Sequence, residues 1–192
     1  MSGLPTEPFR LPAGSVTLRP TLVSDVEAAL AMFDDPDMRQ WYSGPTPLEA
    51  SRIEEWCRSS SNWSEGRHAT WAIADVEDRM IGNLSLVGID LDSRTAMIAY
   101  RVTRGARGRS VATQAVRAAT DWAFATLGLE RVELEHAVAN PASCRVADRA
   151  GYHLEGIKRS GFRADDGVRW DAHLHARLSS DPRPLLVSPS GR

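Results

Sequence analysis

Arg104-Gly105-Ala106-Arg107-Gly108-Arg109-Ser110-Val111-Ala112-Thr113 carries three arginines and two glycines in its first six positions. A strand-like apolar run, residues 96–102, leads into it. Beyond it Val111, Ala115, Ala118, Trp122 and Ala125 recur at i, i+4, i+7, i+11 and i+14, the apolar stripe of an amphipathic helix. A glycine-arginine loop at the mouth of a helix suits a phosphate-bearing ligand. Glycine lets backbone approach closely, the helix N-terminus offers unpaired N–H groups, and guanidinium groups add charge-assisted hydrogen bonds. A solvated basic turn is the alternative, and it describes Arg104 well.

Working outward, residues 16–19 read as a first strand, and Ser24 with Glu27 forms a capping-box pattern ahead of Val26, Ala29, Leu30 and Phe33. Thr46-Pro47-Leu48-Glu49 starts a second helix reaching about Cys57. Residues 70–75 and 80–88 read as a hairpin, 95–102 as the next strand and 131–138 as another. Gly128 fits a helix C-cap. Asn140-Pro141 supplies an N-cap and an N1 proline for a helix that Gly151 closes. Residues 152–158 and 169–178 form a closing pair of strands. The order β-α-α-β-β-β-α-β-α-β-β predicts a mixed sheet with helices on both faces, and the strand–loop–helix–strand unit predicts one parallel pair. Residues 1–13 and 181–192 are expected to be a flexible arm and tail around one domain at 14–180.

The 192 residues carry a net charge of −2, which gives no global basic field for nucleic acid. Apolar runs fall short of the ~20 residues of a membrane span. With no signal-peptide layout at the N-terminus, a cytoplasmic location is expected. Cys57 and Cys144 lack metal-ligand spacing, so no metal is assigned. A Gly-x-x-x-x-Gly-Lys-Ser/Thr motif is absent, which disfavours a nucleoside-triphosphate enzyme. A homodimer is compatible with the tryptophan-rich helices and a sheet edge.

Several segments occur in order: Leu18-Arg19-Pro20, Ile81-Gly82-Asn83-Leu84-Ser85-Leu86, Ala96-Met97-Ile98-Ala99-Tyr100-Arg101-Val102, Leu127-Gly128-Leu129-Glu130-Arg131-Val132-Glu133, Asn140-Pro141-Ala142-Ser143 and Gly151-Tyr152-His153-Leu154-Glu155-Gly156. On these residues the chain resembles the GNAT superfamily of acetyl-CoA-dependent N-acetyltransferases over roughly residues 14–178, and more narrowly the branch acting on ribosomal-protein N-termini. The resemblance implies a central, mostly antiparallel mixed sheet of about seven strands flanked by about four helices. It implies acetyl-CoA as co-substrate and direct attack by a primary amine, either a protein N-terminal α-amine or a small-molecule amine. A non-catalytic CoA-binding module and a transferase for another acyl-CoA are the alternatives.

The family loop, Arg/Gln-x-x-Gly-x-Gly/Ala, falls on residues 107–112, with Ser110 where the family has its central glycine. The resemblance therefore assigns cofactor binding to Arg107, Gly108, Arg109, Ser110, Val111, Ala112 and Thr113, with a Ser110 hydroxyl that could cap the helix. Tyr100, Arg101 and Val102 would pair through their main chain with the pantetheine arm, and Asn140 would bind that arm while capping its helix. Where many superfamily members carry a tyrosine acid this chain has Ala147, and the resemblance to a branch in which a serine is the proposed acid makes Ser143 the candidate donor to the leaving thiolate, with a hydroxyl that only satisfies its helix as the alternative. Glu135 or His136 could relay the amine proton through water; a solvent-facing carboxylate and a packed histidine are the plainer readings. Cys144 reads as a structural cysteine. Trp41, Tyr42 and Trp63 would line the acceptor site by cation–π contact or else belong to the core, and Asp171 is a candidate to hold the acceptor amine.

Overall fold

The computed structural model describes residues 4–41, 49–164 and 166–184. Among them the chain runs β1 (Leu11–Ala13), β2 (Val16–Arg19), α1 (Val26–Phe33), α2 (Pro36–Arg39), α3 (Ala50–Ser60), β3 (His68–Ala74), β4 (Met80–Asp90), β5 (Thr95–Val102), α4 (Val111–Trp122), β6 (Arg131–Ala137), α5 (Pro141–Arg149), β7 (His153–Arg163) and β8 (Arg169–Leu178). The strands form one sheet in the order β1-β2-β3-β4-β5-β6-β8-β7. Neighbours are antiparallel except β5 and β6, which run parallel. The mixed, mostly antiparallel architecture is as expected, with eight strands and five helices among the described residues against the about seven and about four that the resemblance implies.

Strand alternation divides the apolar residues between two layers. Trp71 and Ile73 of β3 face the layer that holds Val111, Ala115, Val116, Ala119 and Trp122 of α4. Ala72 faces the opposite layer, with Ala29, Met32 and Phe33 of α1 and Ile53 and Cys57 of α3. Burial raises the Cys57 thiol to about 11, so it stays protonated and acts as a small core residue.

The extra strand corrects the expected arm. Leu11–Ala13 pairs with β2, and Phe9 packs its ring against Trp63, Trp71 and Trp122 at centroid distances of 5.8, 6.1 and 5.4 Å. Proline richness misled because Pro12 sits on an edge strand, where a missing N–H costs no ladder bond. For Trp63 the core reading holds: the residue is 1 % exposed in this aromatic cluster. Of the tail, residues 185–192 lie outside the described residues, as do residues 42–48, which include Tyr42 and most of the second helix start.

The Ser24 capping box does not form either. Residues 23–25 make a 3-10 turn, and the Asp25 carboxylate accepts the Leu22 N–H at 2.8 Å. It also takes two 2.8 Å hydrogen bonds from Arg19, in a pair that is 2 % and 5 % exposed. A bidentate partner this buried outcompetes a solvent-facing serine for control of the helix entry. Further on, α4 continues as a π-turn through Ala123–Leu127, and Gly128 ends it in the left-handed region at φ 68° as expected.

Candidate active site

The parallel pair β5–β6 is short. Thr95, Ala96 and Met97 pair with Arg131, Val132 and Glu133, and the strands then part although both continue. From Ile98 to Val102, β5 stays paired to β4 on one edge only. Its other edge faces a cleft of about 860 Å³ lined by residues 97–102, Glu135, His136 and Ala137 of β6, and Asn140, Ser143, Arg145 and Arg149 at or on α5. Backbone N–H and C=O groups need partners. An extended ligand with amides of its own satisfies this edge as a strand would, so Tyr100, Arg101 and Val102 lie where the resemblance requires them.

At the cleft's mouth, residues 104–106 form a 3-10 turn, and Gly108 and Ser110 follow with φ of 74° and 59°. Left-handed residues alternating along a loop turn successive N–H groups toward one side, and the first turn of α4 adds its own unpaired N–H groups. Gly108, Ser110, Val111, Ala112 and Thr113 all line the cleft. Ser110 makes no side-chain cap bond, which corrects its expected capping role: a residue at this φ cannot take the extended conformation of an N-cap. The positive φ is the physical reason for a glycine at the corresponding family position.

The arginines divide their work in a way the sequence did not show. Arg107 pairs its guanidinium with Asp35 and, at 3.1 Å, with Asp37, and donates to the Val102 carbonyl at 3.3 Å. Its side chain therefore ties the loop to α2 and is not the free phosphate ligand expected. Arg104 and Arg109 are exposed and do not line the cleft. The cations that do include Arg145 and Arg149, one turn apart on α5. The signal for them was present as an i, i+4 basic pair on a short helix.

Asn140 caps α5 as expected, its side chain accepting the Ser143 N–H at 3.1 Å. The Ser143 hydroxyl is paired with the Tyr100 hydroxyl at 2.7 Å. Burial raises Tyr100 to about 12, so the phenol holds its proton throughout the neutral range. Across the cleft, Glu135 is held by Lys158 at 2.6 Å. His136, 4 % exposed, has both ring nitrogens engaged: Nδ1 lies 2.8 Å from the Ala137 carbonyl and Nε2 lies 3.2 Å from Nε2 of His175. Burial lowers its proton affinity. With Nδ1 against the Ala137 carbonyl and Nε2 against His175, the ring fits the packed histidine of the plainer reading. A cluster that the sequence reading missed surrounds it: His136, His173, His175 and Cys144 bring their ligand atoms within 4.8 Å of one another.

On the acceptor side, Trp41 lines the cleft and meets Trp170 at 6.4 Å between ring centroids. The Asp171 carboxylate accepts the N–H of Ser160, a residue at φ 51°. Asp171 thus fixes a kink in β7, and it is not among the residues that line the cleft.

The family model described as Acetyltransferase (GNAT) domain matches residues 15–153. The chain belongs to the GNAT acetyltransferase family. It is 30 % identical over 178 residues to "Probable N-acetyltransferase YjcK" of Bacillus subtilis (strain 168), a match that covers 87 % of this chain and 96 % of the relative. The Escherichia coli (strain K12) "Ribosomal-protein-serine acetyltransferase" is 31 % identical over 102 residues, covering 53 % of this chain and 56 % of that protein. In fold, this GNAT chain superposes on Mycobacterium smegmatis RimJ in complex with CoA-disulfide with a TM-score of 0.79, at 24 % identity, over 90 % of this chain and 86 % of that one. As a GNAT enzyme the protein is an acetyl-CoA-dependent acyltransferase, and the splayed strands and αL loop fit the pantetheine arm and pyrophosphate of that co-substrate.

Proposed function

We propose that the chain acetylates the N-terminal α-amine of a protein or peptide, in a ternary complex with acetyl-CoA. The unpaired edge of β5 facing an open cleft supports this reading most strongly, since it leaves room for the amine to meet a thioester laid along that edge. The similarity to a ribosomal-protein-serine acetyltransferase supports the acceptor class. In the reaction the neutral amine attacks the thioester carbonyl carbon, a tetrahedral oxyanion forms, and its collapse makes the amide and expels the CoA thiolate. An N–H of the free β5 edge faces the developing oxyanion. Glu135, kept near Lys158, takes the proton leaving the amine through water. Ser143 donates to the thiolate, Tyr100, 2.7 Å from its hydroxyl, returns a proton to Ser143, and the proton shed by Glu135 goes back to the phenol through water of the open cleft, so that no phenolate is left behind. Serine alone is a poor acid, and a protonated phenol behind it makes the donation a two-step relay.

The test is a thiol-release assay with acetyl-CoA and three acceptor sets: peptides of ribosomal-protein N-termini, polyamines, and peptides blocked at the N-terminus. Turnover confined to the unblocked peptides is expected. Turnover on polyamines alone transfers the assignment to small amines, and CoA binding with no turnover on any amine supports the non-catalytic alternative. The two free cysteines, Cys57 and Cys144, are in keeping with the cytoplasm. The exposed Leu154 and Ile157 of β7 and Trp170 of β8 favour a homodimer through that end of the sheet. Light scattering of the parent against Ile157→Asp decides this; a parent that is already monomeric refutes it.

A further inference from the structure

Between α5 and the pair β6–β8 lies the cluster of His136, His173, His175 and Cys144. His136 and His173 are cross-strand partners, and His175 lies two residues further along β8 on the same face. Cys144 comes from the first turns of α5. The three rings sit with centroids 5.1 to 5.7 Å apart, and His136 and His175 are 4 % and 3 % exposed.

The hydrogen bonds of this cluster leave buried nitrogens unmatched. A carbonyl only accepts, so the 2.8 Å contact with Ala137 puts the His136 proton on Nδ1 and leaves Nε2 as a lone pair. That lone pair faces Nε2 of His175 at 3.2 Å. If His175 donates there, its Nδ1 becomes a buried acceptor with no hydrogen-bond partner. If His175 carries its proton on Nδ1, two lone pairs confront each other. His173 adds a second buried Nδ1 with no partner. A cation among these atoms gives the facing lone pairs a common partner. The His136 Nδ1–H to a backbone carbonyl is also the usual outer contact of a metal-bound imidazole.

We propose that His136, His173, His175 and Cys144 bind one zinc-class divalent cation in a tetrahedral set of three nitrogens and one sulfur. Imidazoles and thiolates are the donors that zinc takes in closed structural sites. Bonds of about 2.0–2.3 Å require ligand atoms about 3.3–3.8 Å apart. The present limit of 4.8 Å closes to that by side-chain movement of about 1 Å. The ion ties α5 to the sheet through Cys144, directly beside Ser143, so it positions the helix start that reaches the cleft. With four protein ligands it has no open position and takes no part in acyl transfer.

The test uses the full chain, stripped by chelator, reloaded with Zn²⁺ or Co²⁺ and desalted. About one zinc per chain is expected, with a Co²⁺ form showing the intense visible bands of tetrahedral cobalt and a thiolate-to-cobalt charge-transfer band. Cys144→Ser removes the charge-transfer band, and His173→Asn weakens Zn²⁺ binding by more than roughly 10-fold, the scale of losing even an outer-shell partner. Circular dichroism of each variant reports folding, and if either fails to fold, the parent's stoichiometry and charge-transfer band decide alone. Failure to retain metal, or a weak octahedral cobalt spectrum with no charge-transfer band, overturns the proposal. The readouts need no acyl transfer, so they stand whatever the acceptor proves to be.

Discussion

Ser143 and Ser110 show how far single residues could be read. Ser143 was legible because Asn140-Pro141 announces its helix, and the cap bond from the Ser143 N–H to Asn140 forms as that spacing requires. Its partner Tyr100 was not: 43 residues separate a strand from a helix, and only the packed fold joins the two hydroxyls. If Ser143 acts on the leaving thiolate alone, Ser143→Ala lowers kcat by about 10²-fold while KM for acetyl-CoA holds, and Tyr100→Phe gives a smaller loss of the same kind. A KM rise at constant kcat would instead make Ser143 a binding contact. Ser110 departs from the family's glycine yet keeps the glycine's backbone, at φ 59°. A left-handed non-glycine residue costs roughly 1–2 kcal/mol, so Ser110→Gly raises stability by about 1 kcal/mol in denaturant titration without weakening CoA binding. Destabilisation would mean that the serine side chain contributes more than the strain costs.

At the scale of elements, β5 and α4 follow the apolar periods of their sequences, because one face of each is buried against a continuous core. The parting of β5 from β6 leaves no such trace. Both strands continue past the last shared pair, and nothing in a period of two records where a partner is lost. The arginine loop misled for a related reason. Its composition says that cations are present but not which way they reach, and the acidic pair Asp35 and Asp37 claims Arg107. The histidine cluster stayed hidden because its ligands come from two strands and a helix. Arg145 and Arg149 of α5, which line the cleft, are the side chains expected to meet a phosphate there. Arg145→Ala and Arg149→Ala each weaken CoA binding by about tenfold, the scale of one charge-assisted hydrogen bond, and the loss shrinks as salt rises. Unchanged affinity in both variants would leave the backbone of residues 108–112 as the whole phosphate site.

The whole molecule splits its sheet to make a cleft and seals both faces with helices around it. Tyr152 lies inside that seal, and Tyr100 stands half-buried in the wall of the cleft. Burial is the largest influence on each, raising Tyr100 to about 12 and Tyr152 further. In the unfolded chain both phenols ionise near 10, so above that pH the unfolded state binds fewer protons and folding weakens. Their contribution is complete below about pH 10 and falls away as pH rises toward 12. Denaturation midpoints measured from pH 8 upward are expected to stay level and then drop; a level profile past pH 11 would contradict the burial of these rings. The central claim is that acetyl-CoA completes the sheet along β5. Hydrogen exchange with and without acetyl-CoA tests it most directly. Slower exchange is predicted at the amides of residues 98–102 and 108–112, with little change at β1 and β2. Binding without protection on β5, or with protection confined to another face, would contradict it.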